Sequence, residues 1–349
     1  MRRLPIYFLI DVSESMVGEP IQQVEEGLSN IIQALKADPN ALETVWVSII
    51  VFAGKPKTLV PLQEIITFYP PKFPIGSGTS LSEGLGHLMF ELRRNIKKTT
   101  AETKGDWKPI VFLFTDGVPT DDYSGAVAEW KNNWKGTANM VAVSFGDETD
   151  TGVLKELTDN VLHFKNTDPA AYKKFFKWVT DSIKTTSTGV QNNTSDFELA
   201  HLDGETISKI DLSKKLPGQK IDSNYVVLAG KCQNNKRPYL IKYRKDLKAE
   251  NFAGIDLSTL KYKLEGAFQV DQNYYELSQS NSSQNQVNTE ELVGAPTCPC
   301  CGNQFAFAIC SCGNMHCIGH EEINTCPWCG IEAQYGFGEG GFDVNRTLG

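Results

Sequence analysis

Two groups of residues in this 349-residue sequence have side chains and spacing suited to holding metal. The first is Asp11-Val12-Ser13-Glu14-Ser15, a D-x-S-x-S pattern where the apolar run 5–10 ends. A carboxylate and two hydroxyls leaving one tight loop are hard oxygen donors, of the kind that suits Mg²⁺ with several waters retained. Taken alone the pattern also reads as a helix cap, because Asp or Ser ahead of a helix satisfies its free N–H groups. Two further positions strengthen the metal reading. Thr79 lies in the Gly-rich turn 76–80, and Asp116 lies in Thr115-Asp116-Gly117 after the apolar run 110–114. Sites in open parallel sheets form at the carboxyl ends of strands, so three loops would bring oxygen donors to one edge. Glu14, Asp121 and Asp122 read as rim charges or caps.

The second group is a set of thiols. Eight of the nine cysteines lie between Cys298 and Cys329. Seven of them, with His320, form the ordered set Cys298-x-x-Cys301, Cys310-x-Cys312, Cys317-x-x-His320 and Cys326-x-x-Cys329. A C-P-x-C-G turn, present at 298–302 and 326–330, points two sulfurs at one place. Eight donors fill two tetrahedral shells, so the expected load is two Zn²⁺ serving folding rather than catalysis. His316 and Cys300 are the alternative ligands: His316 reads as a ligand or as a hydrogen-bond partner of one, Cys300 as a packed or solvent-facing thiol. The pairing may be nested or interleaved as in a cross-brace; the spacing leaves both open. The outlying Cys232 reads as a small core residue.

Other chemistries are poorly served. The turn at 76–80 lacks the Lys and spacing of a phosphate-binding loop. Ser13 and Ser15 have no histidine near them in sequence, and the five histidines (87, 163, 201, 316 and 320) make no triad pattern. A net charge of −8 disfavours nucleic acid or an anionic membrane as the main partner. No apolar run is long enough to span a bilayer, and the start lacks a signal-peptide cleavage site, so the expected location is the cytoplasm. Clustered C-x-x-C pairs there hold metal more often than disulfides.

The elements that must position these residues alternate between strand and helix. Apolar positions Ile21, Val24, Leu28, Ile31, Ile32 and Leu35 share one helical face, and Val45–Phe52 reads as a buried strand. An edge strand at 57–66, a helix opening at Ser80, a strand at 110–114, a helix at about 123–134, a strand at 140–145 and helical stretches near Leu154 and at 172–183 complete the series. The expected fold is α/β, a doubly wound, mostly parallel, Rossmann-like sheet, followed by a β-rich module and a small zinc-binding C-terminal domain. The expected divisions are 1–188, a linker 189–197, the β-rich module 198–278, a polar linker 279–295, the Cys/His domain 296–335 and a mobile Gly-rich tail 336–349. In the middle module, the basic stretch 231–248 reads as the solvated face of a hairpin whose other side buries Leu240 and Ile241.

Asp11, Ser13, Ser15, Thr79 and Asp116, set in this strand–helix order, resemble the von Willebrand factor A domain and its metal-ion-dependent adhesion site. That resemblance implies direct metal contact from Ser13, Ser15 and Thr79, with coordinated waters held by Asp11 and Asp116. One position would stay open for an acidic side chain of a partner. With the C-terminal C-P-x-C-G, C-x-C-G and C-P-W-C-G run added, the whole chain resembles TerY-type tellurium-resistance proteins. The implied setting is a bacterial stress-response or defence module, and the implied partners are a serine/threonine kinase and a metal-dependent serine/threonine phosphatase. The functional expectation is a non-enzymatic, metal-dependent protein-binding scaffold. Its rivals are an enzyme using the thiol cluster for redox chemistry and a metal-independent, chaperone-like adaptor.

Overall fold

The computed structural model of the chain describes residues 2–116, 118–145, 151–164, 169–191, 207–209, 224–252, 255–278, 285–336 and 340–347. Residues 192–197 of the first expected linker, 279–284 of the second, His201, and 337–339 and 348–349 of the tail lie outside them.

Seven strands make the first sheet: β1 (Leu4–Asp11), β2 (Val45–Phe52), β3 (Pro56–Glu64), β4 (Ile110–Thr115), β5 (Asn139–Phe145), β6 (Val161–Phe164) and β7 (Ile207–Lys209). Their order is β3-β2-β1-β4-β5-β6-β7, parallel through the middle with antiparallel strands at both edges. β1 is buried along its whole length, and its alternate side chains enter two different cores. Ile6, Phe8 and Ile10 pack with helix α1 (Glu19–Lys36). Tyr7 and Leu9 pack on the other face, after a short α2 (Pro39–Thr44), with α3 (Leu81–Asn95), α4 (Ser124–Asn133) and α5 (Thr151–Leu157). The six apolar positions expected on one face of α1 are all buried there. Helix α6 (Pro169–Gln191) closes against α1 at Gly27, where a Cβ would stand 2.0 Å from the Phe176 ring. It runs to Gln191, past the expected start of the linker at 189; its Thr180, Thr185 and Thr186 hydroxyls donate to carbonyls four residues back.

The second sheet departs most from expectation. Its strands are β8 (Tyr225–Lys231), β9 (Pro238–Phe252), β10 (Ile255–Gln269), β12 (Leu292–Val293), β13 (Phe305–Ile309) and β14 (Met315–Ile318), in the order β12-β10-β9-β8-β14-β13. A short helix, α7 (Tyr274–Leu277), follows β10. The middle module and the cysteine-rich segment share this sheet, because β14 pairs in parallel with β8, placing His316 beside Lys231. Part of the tail is also tied down: β17 (Asp343–Asn345) pairs with β11 (Gln286–Asn288), and Phe342 stacks on Phe307. Two small strands, β15 (Asn324–Thr325) and β16 (Glu332–Ala333), form a separate ladder.

The basic hairpin is not simply solvated on one face. Leu240 lies in the core shared with the first sheet, whereas Ile241 lies in the core of the cysteine-rich segment. Successive strand residues face opposite ways, so both are buried and Lys242 is buried too.

Candidate functional site

Asp11 ends β1, and parallel pairing sets Thr115 at the matching end of β4. Both oxygens of the buried Asp11 carboxylate are engaged: one accepts from Ser13 N at 2.9 Å, the other from the Thr115 hydroxyl at 2.7 Å. A turn of 3-10 helix at Glu14–Met16 curls the chain so that Ser13 Oγ and Ser15 Oγ come within 3.0 Å. Ser15 then donates to Asp116 Oδ1 at 2.8 Å. Asp11, Ser13, Ser15 and Asp116 thus form one connected set of oxygen donors at the sheet's carboxyl edge.

Thr79 is buried on the second loop, which is stitched to both of the others. Gly76 N donates to Val12 O at 2.9 Å, Thr79 N to the Thr120 hydroxyl at 3.0 Å, and Thr120 N to Thr79 O at 2.9 Å. Asp121 is a cap, as sequence suggests, but for a helix far along the chain: it accepts from Ser80 Oγ, Leu81 N and Ser82 N at the start of α3. Asp122 accepts from Ser124 in the same manner at α4. Glu14 is not a rim charge. It is fully buried, and its carboxylate accepts a hydrogen bond from the Tyr274 hydroxyl.

The donors fit a small divalent cation. Octahedral Mg²⁺ at 2.0–2.1 Å from its ligands places neighbouring oxygens about 2.9 Å apart. The Ser13–Ser15 separation of 3.0 Å matches that edge, and Asp116, 2.8 Å from Ser15, lies within reach of a coordinated water.

The thiols gather into two sets. Cys232, Cys298, Cys301 and Cys317 form one, and Cys310, Cys312, Cys326 and Cys329 the other; within each, the sulfurs lie within 4.8 Å of one another. A tetrahedral ion with bonds of 2.3 Å separates its sulfurs by about 3.8 Å. The Cys301–Cys317 and Cys232–Cys317 separations are 3.7 and 3.9 Å, and the Cys310–Cys329 and Cys312–Cys326 separations are 3.6 and 3.9 Å. Disulfides would need about 2.05 Å. The two C-P-x-C-G knuckles have the same geometry: Gly302 and Gly330 adopt φ of +78° and +77°, and each donates its N–H to the carbonyl of the knuckle's first cysteine at 2.9 Å. Gln233 N and Asn303 Nδ2 donate to Cys317 Sγ, contacts that would suit a metal-bound sulfur. In the second set, hydrogen bonding from the Cys312 N–H brings the Cys310 thiol down to about 6.

The sets are interleaved, so Cys298 and Cys301 serve one site and Cys326 and Cys329 the other. The fourth donor of the first set is Cys232 and not His320. His320 lies beyond the end of β14, exposed and outside both sets. Cys232 follows β8, and the parallel β8–β14 register carries it to Cys317. Its isolation in sequence hides this, since the partner is brought by strand pairing across more than eighty positions. His316 is fully buried and is placed as an outer partner: one ring nitrogen meets Cys317 O at 3.0 Å and the other the Tyr335 hydroxyl at 2.7 Å. Cys300 stands outside both sets, and burial pushes its thiol up to about 12.

Family models match the two halves of this arrangement. The von Willebrand factor type A domain covers residues 6–178, and the TerY-C metal binding domain covers residues 222–349. The chain has the TerY-type architecture. Domains of both kinds are typically interaction or metal-binding modules, so a TerY-type chain is a metal-related protein-interaction module. Among solved structures, proximal thread matrix protein 1 from the mussel byssus is 18% identical over 52% of this chain and 48% of its own, with a TM-score of 0.39. The pilus adhesin SpaC from Lactobacillus rhamnosus GG is 16% identical over 53% of this chain and 31% of its own, with a TM-score of 0.43. The ArnB paralog VWA2 from Sulfolobus acidocaldarius is 11% identical over 78% and 66%, with a TM-score of 0.39. The TerY-type chain thus matches half or less of the length of the first two structures. Among the described residues, no helix is long and apolar enough to cross a membrane.

Proposed function

We propose that this TerY-type chain is a non-enzymatic, cytoplasmic scaffold that recognises a partner protein through a bound Mg²⁺. Ser13, Ser15 and Thr79 contact the ion, Asp11 and Asp116 hold its waters, and an acidic side chain of the partner takes the remaining position. Two Zn²⁺ in the thiol sets serve the fold of the C-terminal region. The partners are a serine/threonine kinase and a metal-dependent serine/threonine phosphatase of a bacterial stress-response or defence module of the tellurium-resistance type. The observation that carries this reading is the Ser13 and Ser15 hydroxyls lying 3.0 Å apart, the spacing of neighbouring ligands of an octahedral ion, with the Asp11 and Asp116 carboxylates beside them at one sheet edge.

The test is affinity capture of the tagged chain from its native extract in Mg²⁺, followed by mass spectrometry, with Asp11→Ala and Asp116→Ala beside the wild type. Each variant loses a carboxylate at the sheet's edge, Asp11 from the last position of β1 and Asp116 from just after β4, and keeps the sheet, so the kinase and phosphatase should disappear from both captures while circular dichroism is unchanged. The point variants separate loss of this ion from loss of zinc, which a chelator would confuse. Full recovery of the same partners by both variants would sink the assignment.

A further inference from the structure

The loops that carry the three hydroxyls are held by groups from the far end of the chain. Tyr274 donates its hydroxyl to Glu14, which lies between Ser13 and Ser15 and is 260 residues away. Lys242 Nζ donates to Ser15 O at 2.6 Å, and its charge is met by Glu265 at 3.3 Å. On the Thr79 loop, Ser77 N donates to Ser278 Oγ at 3.0 Å. Leu277 packs so closely on Gly76 that a Cβ there would stand 2.7 Å from the leucine's own. Lys55 N donates to Leu277 O at 2.8 Å, which completes the seat of α7 on the first domain.

An ordinary domain interface would need only the apolar part of this seam, where Val227, Leu240, Val270, Tyr274 and Leu277 join the core of the first sheet. The polar part does something more specific. A fully buried carboxylate needs hydrogen-bond partners to offset its lost hydration. Glu14 has one in Tyr274, a hydroxyl that burial and the neighbouring carboxylate keep protonated well above the usual phenol range. The side chain of Glu14 therefore goes inward, and the 3-10 turn it belongs to turns Ser13 and Ser15 together.

We propose that Tyr274 is a positioning residue of the cation site: through Glu14 it fixes the turn that sets the Ser13–Ser15 spacing, so docking of the C-terminal region raises the first domain's affinity for a divalent cation. This rests on the reading that Asp11, Ser13, Ser15, Thr79 and Asp116 hold such a cation. By linkage the effect is reciprocal, and cation binding tightens the seat of α7.

The test uses Mn²⁺ as the probe, titrated by electron paramagnetic resonance into the full-length, zinc-loaded chain and competed with Mg²⁺. Wild type should bind one Mn²⁺ that Mg²⁺ displaces and that Asp11→Ala abolishes. Tyr274→Phe should bind it about tenfold more weakly, the usual worth of one hydrogen bond to a charged group, with zinc content unchanged. Glu14→Ala should weaken binding similarly, and the double variant should be no weaker than either single one. Unchanged affinity in Tyr274→Phe, or losses that multiply in the double variant, would overturn the positioning role. Wild type that binds no more Mn²⁺ than Asp11→Ala would instead overturn the cation site itself. Should Tyr274→Phe not fold, hydrogen exchange on the wild type decides: Mn²⁺ must slow exchange at 274–278 as well as at 11–17, and protection confined to 11–17 refutes the link.

Discussion

Replacing Cys232 by Ser tests the interleaved metal arrangement most directly. The Cys232 side chain is fully buried, and its sulfur lies 3.9 Å from that of Cys317, so a serine hydroxyl would occupy the same volume without the thiolate. Structural zinc held by four protein ligands is worth roughly 10–16 kcal/mol at neutral pH, which assigns about 3 kcal/mol to each bond. Losing one bond should then weaken the first site about 100-fold, at 1.4 kcal/mol for each tenfold. The second set shares no ligand with it and should keep its ion. Native mass spectrometry at limiting chelator should therefore find two zinc ions in wild type and one in Cys232→Ser. His320→Ala should retain both, because that side chain is exposed and lies outside either set. The opposite outcome, zinc lost from His320→Ala and retained by Cys232→Ser, would refute the assignment and restore the pairing suggested by sequence spacing.

Strong chelation should unfold more than the knuckles. β14 is a strand of the second sheet, so hydrogen exchange should quicken across 225–245 and 261–269 as well as 298–330, while β1, β2 and β4 stay protected. Gly27→Ala should destabilise the first domain by about 1–3 kcal/mol, the usual cost of overpacking, because the new methyl meets the Phe176 ring at 2.0 Å. Thermal unfolding would register this as a lower midpoint, and an unchanged one would mean that the α1–α6 crossing is looser than described.

What could be read from the sequence was what local periodicity and short spacing encode. Ile21 to Leu35 show one face of α1 because its apolar period is set within the helix itself, and Asp11, Thr79 and Asp116 stand out because each lies at or close to the end of an element. The knuckles are legible for the same reason: both sulfurs of each pair lie within four residues. What was hidden depends on pairing between distant strands. The fourth thiol of the first set is created by the β8–β14 register, and nothing near Cys232 signals it. Glu14 looks like an exposed acid in its own loop, and nothing near it in sequence signals that it is buried and meets Tyr274. The end of α6 was misread as linker because Thr and Ser are weak helix formers in isolation, whereas packing of its earlier residues on α1 propagates the helix.

Strand β9 explains how the thiol sets and the oxygen donors proposed to hold a cation can belong to one folded unit. Its side chains alternate, so Tyr239, Ile241 and Tyr243 enter the core around Cys232, Cys298 and Cys317, while Leu240 and Lys242 turn towards the first domain. Tyr239 donates to Ala306 O at 2.5 Å on one side of the strand, and three residues on Lys242 donates to Ser15 O at 2.6 Å on the other. A pleated strand has little freedom to shift one face without the other, since a one-residue slip would exchange every side chain between them. The thiol sets need not take part in ligand binding to matter for it. The first set ties Cys232, just after β8, to Cys317 of β14, and so steadies the sheet in which β8 pairs with β9, the strand whose other face supports the loop of Ser13 and Ser15.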